Sequence, residues 1–299
     1  MPFAPDPFST VRSVARHVRR FRGKTFVVKI GGELIDDAEC RASVSEQLSL
    51  LWSFSIPIVI VHGGGGAVDA LCGSLGLATE KVAGRRVTPP EVLRAAGMAL
   101  KGDAQVRLVS SLLSAGLPAV GLTGQDAGLV TAARRPPVVM DGRLVDYGEV
   151  GDITAVDPTL VTRLIEGGFV PVVAPLTGGA DGAVYNTNAD SVAASLAVAL
   201  GAEKLLFLVR VPGLLQDRDN PASLVPFADL AAVDQLVASG AVSGGMRPKL
   251  DAARLALEGG VTSVHLVSGV GADNLLVEVF TNEGAGTMLV RQADRGAPA

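Results

Sequence analysis

Short apolar runs of strand length alternate with longer amphipathic segments throughout the chain. Phe26–Ile30 and Lys204–Val211 are typical of the runs, whereas residues 38–54 and 248–257 have the mixed apolar and polar spacing of helices. Strands that are apolar on both faces and separated by helices are characteristic of a parallel sheet covered on each side. The pattern therefore predicts an α/β fold, a three-layer αβα sandwich around a mostly parallel sheet of about eight strands.

The same pattern predicts two lobes preceded by an N-terminal segment. Residues 1–22 hold an arm and a helix, residues 23–196 form the first lobe, and residues 197–299 form the second. The N-terminal helix, over residues 9–21, places valines on one face and arginines elsewhere. This helix either packs on its own domain or serves as an arm for oligomerisation, and the pattern supports both interpretations equally.

Composition narrows the classes of function. The chain has 299 residues, 48% hydrophobic content, 4% aromatic residues and a formal net charge of −4. Basic residues are scattered apart from a cluster at residues 12–24, so we expect no nucleic-acid partner, and the apolar runs are too short to span a membrane. Cys40 and Cys72 lack metal-ligand spacing, and the histidines are widely separated. We therefore expect no protein metal site and a reducing, cytoplasmic location.

Glycine-rich turns follow several of the apolar runs. His62 precedes four glycines, Gly63–Gly66, and the strand at residues 26–30 runs into Gly31-Gly32. A turn without side chains lets a ligand approach the backbone closely, and the first N–H groups of the following helix are unpaired, which suits an anion. The sequence matches neither the Walker loop nor the dinucleotide-binding fingerprint, so a tight connection without a ligand is the alternative interpretation.

Two lysines and one aspartate lie beside turns of this kind. Lys29 is inside an apolar strand, Lys249 follows Gly244-Gly245, and Asp190 follows an asparagine-rich segment. Lys29 either extends its stem to reach solvent or projects into the crevice at the carboxyl end of the sheet, and we favour the crevice. Asp190 is a candidate helix N-cap as well as a candidate site residue. The set suits phosphoryl transfer, which depends on positioning and positive charge.

Several motifs occur in an ordered series along the chain. They are Phe21–Gly32, Val61–Gly66, Gly84–Thr88, Gly121–Asp126, Tyr185–Asp190, Gly244–Lys249 and Leu275–Met288. Their order and spacing resemble the amino-acid kinase superfamily and, most closely within it, the N-acetyl-L-glutamate kinase family. The resemblance implies the amino-acid kinase fold and ATP-dependent phosphorylation of the side-chain carboxylate of N-acetylglutamate, which gives an acyl phosphate in arginine biosynthesis.

The resemblance also implies residue roles. Lys29 and Lys249 would offset charge on the transferring phosphoryl group, with Asp190 between them as an organiser. Mg²⁺ would be held mainly by the ATP phosphates, with the substrate in residues 23–196 and the nucleotide in residues 197–299. The other implied contacts are backbone N–H groups of Gly31, Gly32, Gly64 and Gly65 for the phosphoryl group and acceptor; Arg86, Asn186 and Asn188 for the substrate; and Arg210, Gly213, Gly245 and Met246 for the nucleotide.

Two further stretches resemble the arginine-inhibited, hexameric branch of that family. They are the N-terminal helix before Arg20–Lys24 and the segment Leu275–Thr281 with the glycines that follow it. The resemblance implies an arginine effector between them, with Glu278 and Gly284 as candidate contacts, and a surface glutamate is the alternative interpretation of Glu278. It also implies a homo-oligomer, with a hexamer built as a trimer of dimers favoured over a dimer.

Several positions depart from the family pattern. Val209-Arg210 replaces a Thr/Ser-Asp/Asn pair, Gln125 replaces a lysine, Ala104-Gln105 replaces Val-Asn, and Ser268-Gly269 replaces Asp-Gly. They leave two alternatives open, a kinase for a related carboxylate such as carrier-linked aminoadipate and a catalytically weakened arginine-binding regulator. Retention of both lysines and of Asp190 argues against the regulator.

Overall fold

The computed structural model describes residues 7–140, 142–217, 220–240, 242 and 244–292. Its α-helices are, in chain order, α1 (Pro7–Phe21), α2 (Gly32–Asp36), α3 (Ala38–Ser53), α4 (Gly65–Ser74), α5 (Pro90–Gly97), α6 (Gln105–Ser114), α7 (Thr159–Glu166), α8 (Ala189–Ala199), α9 (Leu230–Ala238), α10 (Met246–Glu258) and α11 (Asn274–Phe280). Its strands are β1 (Phe26–Ile30), β2 (Ile58–His62), β3 (Lys81–Val82), β4 (Arg85–Arg86), β5 (Ala119–Thr123), β6 (Val130–Arg134), β7 (Val138–Met140), β8 (Arg143–Val145), β9 (Gly151–Val156), β10 (Val170–Ala174), β11 (Leu176–Gly178), β12 (Val184–Asn186), β13 (Lys204–Val209), β14 (Phe227–Asp229), β15 (Ser263–Ser268) and β16 (Thr287–Val290).

Among the described residues, the main sheet has eight strands in the order β14-β16-β15-β13-β1-β2-β10-β5. Its pairs are parallel except β15 with β16, which run antiparallel. The predicted mostly parallel sheet is therefore confirmed. Strand β1 lies between β13 and β2, with Lys29 opposite Phe207 on one side and Val61 on the other. The carboxyl ends of these neighbouring strands consequently open at one edge, where ligands of open α/β sheets bind.

Helices cover both faces of this sheet, as the apolar pattern predicts. Alternate residues of β1 belong to different apolar clusters. Val27 packs in the cluster that includes α8 and α10, whereas Val28 packs in the cluster that includes α3, α6 and α11. Both clusters consist of side chains that are almost fully buried. The three-layer architecture follows, because a parallel sheet that is apolar on both faces must be covered on both.

A second, smaller sheet is the main difference from the sequence prediction. The pattern indicates an antiparallel flap over residues 134–156, and the hairpin of β7 with β8 lies there. The structure adds a four-stranded sheet in the order β12-β11-β6-β9 and the hairpin of β3 with β4. Most of these strands have only two or three residues, which is too short for an alternating pattern to emerge from the sequence.

The apolar spacing over residues 90–115 predicts one long helix, and the structure is helical there but not uniform. Residues Met98–Ala104 between α5 and α6 are π-helical. A π-helical turn widens the backbone spiral locally and is often found near functional sites. Here the widened turn places Leu100 against the glycine turn after β2, since a Cβ added to Gly64 would lie 2.8 Å from the Leu100 Cδ2 atom.

The N-terminal helix packs on its own chain. Val14 and Val18 of α1 contact the apolar cluster that contains Phe21 and Phe26. The interpretation of α1 as a docked amphipathic helix is thus confirmed, while its service as an oligomerisation arm stays a prediction. Residues 1–6 of the predicted arm lie outside the described residues. No helix among the described residues has the length and apolar character needed to cross a membrane.

The predicted lobe boundary at residue 196 falls inside α8. Strand β13 follows that helix, yet it pairs with β1 along five residues. One apolar cluster also joins Val27 and Val59 from before the boundary to Leu205 and Leu266 from after it. The two predicted lobes thus share a sheet and a core, and the division between them stays a prediction.

Candidate active site

Three predicted catalytic side chains meet at the carboxyl edge of the main sheet. The Lys29 Nζ atom lies 2.8 Å from Asp190 Oδ1, and the Lys249 Nζ atom lies 3.4 Å from Asp190 Oδ2. Lys29 comes from β1, whereas Asp190 and Lys249 come from the first turns of α8 and α10. One carboxylate therefore holds two ammonium groups that are 220 residues apart in the chain.

Burial decides between the two interpretations of Lys29. Its side chain is 8% exposed and is paired with Asp190, so it does not extend to solvent. Burial alone would raise the pKa of Asp190, but the charges of Lys29 and Lys249 outweigh it and hold that pKa below its ordinary value. Asp190 is consequently an anion that fixes both lysines.

The capping of α8 is done by Asn188. Its Oδ1 atom accepts hydrogen bonds from the backbone N–H groups of Asp190, at 2.8 Å, and Ser191, at 3.0 Å. The alternative of Asp190 as the helix cap is therefore wrong. Because Asn188 satisfies the helix terminus, the carboxylate of Asp190 remains available for the lysines.

The two glycine turns touch each other through their backbones. A Cβ added to Gly32 would lie 2.8 Å from both the Cα and the N atoms of Gly64, which is closer than real Cβ atoms approach. A Cβ on Gly63 would lie 3.2 Å from the Gly32 N atom. The two turns lie against each other so closely that position 32 has no room for a side chain.

The backbone N–H groups of these turns are not equivalent. The N–H of Gly31 donates to the Leu208 carbonyl at 3.1 Å, so it continues the sheet and does not face an open ligand position. The prediction that Gly31 donates to a phosphoryl group is therefore wrong for this structure. Gly32 opens α2, and Gly64 and Gly65 form the cap and first residue of α4, where helix geometry leaves N–H groups without intrahelical partners.

His62 supports the second turn from within the core. It is fully buried, and its Nδ1 atom lies 3.0 Å from the Gly63 carbonyl oxygen. Burial lowers the pKa of His62 to about 4, with the charges of Lys101 and Lys29 acting in the same direction. The imidazole is thus neutral at ordinary pH and donates through Nδ1 to the turn.

Arg86, the predicted substrate-binding arginine, lies beside the same turn. Its Nη2 atom donates to the Gly65 carbonyl at 3.0 Å, and its Nη1 atom donates to the carboxylate of Asp69 in α4. Lys81, opposite Arg86 in the β3–β4 hairpin, also binds Asp69, with an Nζ–Oδ2 distance of 2.8 Å. These bonds therefore fix the guanidinium beside the N-terminus of α4.

Asn186 lies at the end of β12, close to this region. Its Nδ2 atom donates to the Thr88 hydroxyl at 3.2 Å, and its backbone N–H donates to the Glu149 carbonyl at 2.9 Å. Thr88 is buried just after Arg86. The structure thus links Asn186 to the segment that carries Arg86, although the sequence separates them by 100 residues.

A cavity of about 390 Å³ opens on the other side of Lys249. Every residue predicted to bind the nucleotide lines it. The lining residues are Glu33, Val209, Arg210, Val211, Gly213, Leu214, Leu215, Gly244, Gly245, Met246 and Lys249. Lys249 therefore belongs both to the cavity and to the lysine–aspartate cluster, and it marks where a ligand of the cavity would meet the glycine turns.

Arg210 lines this cavity and forms an ion pair with a residue beside it. Its Nη2 atom lies 2.8 Å from Asp37 Oδ2, and Asp37 caps α3 through its other oxygen. The hydrogen bonds to Cys40 and Arg210 keep the pKa of Asp37 below its ordinary value despite the opposing effect of desolvation. The pair ties β13 to the α2–α3 junction. Sequence reasoning placed Arg210 at the nucleotide but did not find Asp37.

The two predicted effector residues, Glu278 and Gly284, lie next to each other. Glu278 is not at the surface. Glu278 is buried and accepts hydrogen bonds from His265 Nδ1 and from the backbone N–H groups of Ala285, at 2.7 Å, and Gly286, at 2.9 Å. Burial would raise the pKa of Glu278, but these hydrogen bonds keep it below its usual value. The surface alternative is therefore wrong. Gly284 is adjacent, since a Cβ there would lie 2.8 Å from Glu278 Oε2.

A buried lysine completes this second polar cluster. The Lys204 Nζ atom lies 2.8 Å from His265 Nε2 and 3.2 Å from the Ser263 hydroxyl. Burial lowers the pKa of Lys204 to about 8 and that of His265 to about 4, so a neutral imidazole accepts from the ammonium and donates to Glu278. Sequence reasoning missed Lys204 and His265, as it missed Asp69. In the sequence, Lys204 and His265 are marked only as isolated polar residues in apolar strands. Asp69 is marked only as a carboxylate one helical turn after a glycine turn.

The chain is similar to known proteins over almost its whole length. The sequence profile of the amino acid kinase family matches residues 24–268. The acetylglutamate kinase of Myxococcus xanthus is 57% identical over 298 residues, which cover 98% of this chain and 97% of that protein. The acetylglutamate kinase of Symbiobacterium thermophilum is 41% identical over 289 residues, which cover 96% and 99%. These relatives favour neither an aminoadipate kinase nor a weakened regulator.

Solved structures share the fold. N-acetylglutamate synthase from Neisseria gonorrhoeae, complexed with coenzyme A and L-arginine, has a TM-score of 0.84 and 27% identity over 96% of this chain. This chain spans only 66% of that synthase. Carbamate kinase from Giardia lamblia, with a TM-score of 0.65 and 16% identity over 90% of this chain, shows the fold alone. By its sequence profile and its full-length relatives, this chain belongs to the amino acid kinase family and, within it, to the acetylglutamate kinases.

Proposed function

We propose that this chain transfers the γ-phosphoryl group of ATP to the side-chain carboxylate of N-acetyl-L-glutamate, giving an acyl phosphate in arginine biosynthesis. The observation that carries the proposal is the cluster of Lys29, Asp190 and Lys249 at the junction of the glycine turns and the cavity. The relatives named acetylglutamate kinase support the choice of acceptor.

The chemistry needs no general base. An ionised carboxylate is already a nucleophile, so one of its oxygens attacks the γ-phosphorus while the bond to the β,γ-bridging oxygen breaks. Negative charge then spreads over the transferring group and the leaving ADP. Lys29 and Lys249 stabilise that charge from fixed positions, because Asp190 holds both ammonium groups before the substrates arrive. Asp190 is an organiser and does not accept a proton.

The acceptor occupies the side of the cluster formed by the glycine turns. Backbone N–H groups of Gly32, Gly64 and Gly65 bind the reacting carboxylate and the phosphoryl oxygens. Arg86 binds the α-carboxylate with the N–H groups of its guanidinium that are directed away from Asp69 and Gly65. Asn186 and the amide nitrogen of Asn188 contact the remaining polar groups of the substrate.

The nucleotide occupies the cavity lined by Arg210, Gly213, Gly245 and Met246. Among the described residues there is no group of three or more His, Cys, Asp or Glu side chains that could hold a metal ion. Glu33 lines the cavity, and the neighbouring Asp190 has each carboxylate oxygen paired with a lysine. These donors fit a Mg²⁺ ion that is carried mainly by the ATP phosphates, where it would offset their charge.

The direct test is to incubate the purified chain with Mg-ATP and N-acetylglutamate and to trap the acyl phosphate with hydroxylamine as a coloured hydroxamate. We expect product with N-acetylglutamate and much less with glutamate or with N-acetyl-aminoadipate. Absence of a trappable product with N-acetylglutamate, in a protein with a normal circular dichroism spectrum, would overturn the proposal.

We also propose that L-arginine inhibits the chain by binding near Glu278 and Gly284. Support comes from the buried carboxylate there and from the similar synthase that was solved with L-arginine. A titration of activity against millimolar arginine tests this, and unchanged rates would contradict it.

We further propose a homo-oligomer, a hexamer in preference to a dimer. Its support is the edge position of β5 and the exposure of Met98, Val106 and Leu113 on the neighbouring helical segment. Sedimentation velocity measures the mass directly, and a monomer at micromolar concentration would contradict the proposal.

A further inference from the structure

Asp69 is a charged residue beside the acceptor glycine turn, and the proposed reaction gives it no role. Asp69 lies in α4, one helical turn after the acceptor glycine turn. Its two carboxylate oxygens bind two different residues of the β3–β4 hairpin, Oδ1 to Arg86 and Oδ2 to Lys81. Lys81 and Arg86 are direct partners in that hairpin. A single carboxylate thus connects the hairpin to the helix that begins at the acceptor turn.

The contacts of Arg86 fix the position of its guanidinium. Its side chain is 8% exposed, and the guanidinium is held by Asp69 through Nη1 and by the Gly65 carbonyl through Nη2. Two fixed acceptors at different nitrogens define both the place and the plane of the group. A guanidinium has five N–H donors, so the remaining donors stay available for a second carboxylate. Arg86 is therefore held in an orientation that can receive an anion at the turn.

Among the described residues, apolar and backbone contacts hold the opposite side of the hairpin. Val82 and Val87 pack against the small cluster that contains Tyr147, and the Tyr147 hydroxyl donates to the Val82 carbonyl at 3.2 Å. These residues hold the hairpin against the small apolar cluster, and they do not touch the guanidinium. The orientation of Arg86 is thus left to Asp69 and to the Gly65 carbonyl.

We propose that Asp69 is a positioning residue for acceptor binding, which holds the Arg86 guanidinium against the acceptor turn and thereby sets the affinity for the α-carboxylate of the substrate. The inference rests on the proposed function, because it takes N-acetylglutamate as the acceptor. Asp69 touches no substrate atom in this scheme. Its anionic state is secure, since the hydrogen bond from Arg86 lowers the pKa of Asp69 to about 2 against the opposing effect of burial.

The test compares Asp69→Asn with the wild type in steady-state kinetics. We expect the KM for N-acetylglutamate to rise about tenfold, because asparagine keeps the shape but loses the charge-assisted bond. The kcat and the KM for ATP should change by less than about twofold, since the lysine–aspartate cluster is untouched. Asp69→Glu should restore part of the affinity. A purely structural role would instead move all three parameters together.

A substrate analogue makes the test specific to Arg86. The compound 4-acetamidobutyrate keeps the reacting carboxylate and the acetamide group but lacks the α-carboxylate. Asp69→Asn should leave kcat/KM for this compound unchanged, because the group that Arg86 recognises is absent. An equal loss with both acceptors would overturn the proposal.

Two control variants separate Arg86 from general effects of charge. Asp152→Asn breaks a comparable pair, with Arg135, in the smaller sheet and should leave both KM values unchanged. Lys81→Met breaks the other bond of Asp69 and should raise the acceptor KM by less than about threefold, because that lysine is half exposed. A Lys81→Met effect as large as that of Asp69→Asn would overturn the assignment to Arg86.

The outcomes also separate this inference from the proposed function. A wild-type chain that forms no trappable product overturns the proposed function, and this inference falls with it. A wild-type chain that forms product while Asp69→Asn keeps the wild-type acceptor KM overturns this inference alone. Tighter acceptor binding in Asp69→Asn would show that Asp69 competes with the substrate for Arg86, which also contradicts the proposal.

Discussion

The proposed acceptor and nucleotide sides of the candidate site are built differently. On the acceptor side, the Arg86 side chain is 8% exposed and held by two acceptors, and the glycine turns touch backbone to backbone. On the nucleotide side, the Arg210 side chain is 49% exposed and its ion pair with Asp37 faces solvent. The fixed donors are thus concentrated where the smaller ligand would bind.

The two sides differ in when their side chains lose conformational entropy, either on folding or on ligand binding. Buried donors that are fixed before binding lose little conformational entropy when a ligand arrives, whereas an exposed arginine must be ordered at that moment. A small acceptor with few atoms depends on such preorganisation for its orientation. ATP is larger and carries its own metal-bound phosphates, so its cavity can contain weaker individual contacts.

Replacing Lys29 should have the largest effect because both sides of the site meet at its partner Asp190. In Lys29→Met we expect kcat to fall about 10²–10³-fold, since a fixed positive charge at the transferring phosphoryl group is lost. Assays of trapped hydroxamate at saturating substrates measure this. The matched control is Lys24→Met, which removes an exposed lysine just before β1. A kcat within about threefold of the wild type would remove Lys29 from the catalytic cluster.

The contact between the glycine turns should be the next most sensitive feature. Gly32→Ala places a Cβ 2.8 Å from the backbone of Gly64, so the turns must separate. We expect about a tenfold or larger loss of kcat/KM for the acceptor and about 1–3 kcal/mol lower free energy of unfolding. Urea denaturation and kinetics measure the two effects.

Gly73→Ala is the matched control for that change. Gly73 lies in α4 with no atom within 4 Å of an added Cβ. Alanine there should leave activity intact and stabilise the helix by about 0.5–1 kcal/mol. If Gly32→Ala behaves like Gly73→Ala, the close contact of the turns is not needed for acceptor binding.

The buried histidines predict how stability depends on pH. Burial lowers the pKa of His62 and that of His265 to about 4, below the value of 6.5 for an exposed histidine. The unfolded chain therefore binds more protons between pH 6.5 and 4, and acidification through this window destabilises the fold. Each histidine contributes about 1.4 kcal/mol per pH unit.

Denaturation at several pH values measures how the free energy of unfolding depends on pH. A His62 variant shows how much of that dependence comes from the histidine beneath the acceptor turn. His62→Gln should remove the contribution of one histidine and leave that of His265, so the slope of unfolding free energy against pH between 6 and 5 becomes shallower. A slope equal to that of the wild type would mean that His62 is not held neutral beneath the turn.

Arg210→Ala should have the smallest effect. Its pair with Asp37 is exposed, and such pairs contribute about 0–1 kcal/mol. We expect the KM for ATP to rise about two- to fivefold while the KM for N-acetylglutamate stays constant. Initial rates with each substrate varied in turn measure this. An ATP effect above about tenfold would show that the nucleotide side is as strongly preorganised as the acceptor side.

Much of the architecture was determined by local sequence alone. Apolar runs of strand length separated by helical periodicity are enough to specify the layers, since parallel strands must be covered on both faces. Glycine turns at strand ends, with Lys29 and Lys249 beside them, indicate one edge of the sheet because the carboxyl ends of parallel strands meet there. The lysines and Asp190 could therefore be selected before their distances were known, whereas the nucleotide residues around the cavity were indicated only by the resemblance to the amino-acid kinase superfamily.

Tertiary structure alone decided which groups are partners. The bonds of Asp69 to Arg86, of Arg210 to Asp37 and of Glu278 to His265 join segments whose separation in the chain carries no pairing signal. Tertiary geometry also decided which residue caps α8 and which carbonyl the N–H of Gly31 binds. A helix terminus or a sheet edge forms hydrogen bonds with the nearest available group. Local sequence specifies the chemical groups and the elements that carry them, while burial and distance, which only the packed fold defines, determine which charges neutralise each other.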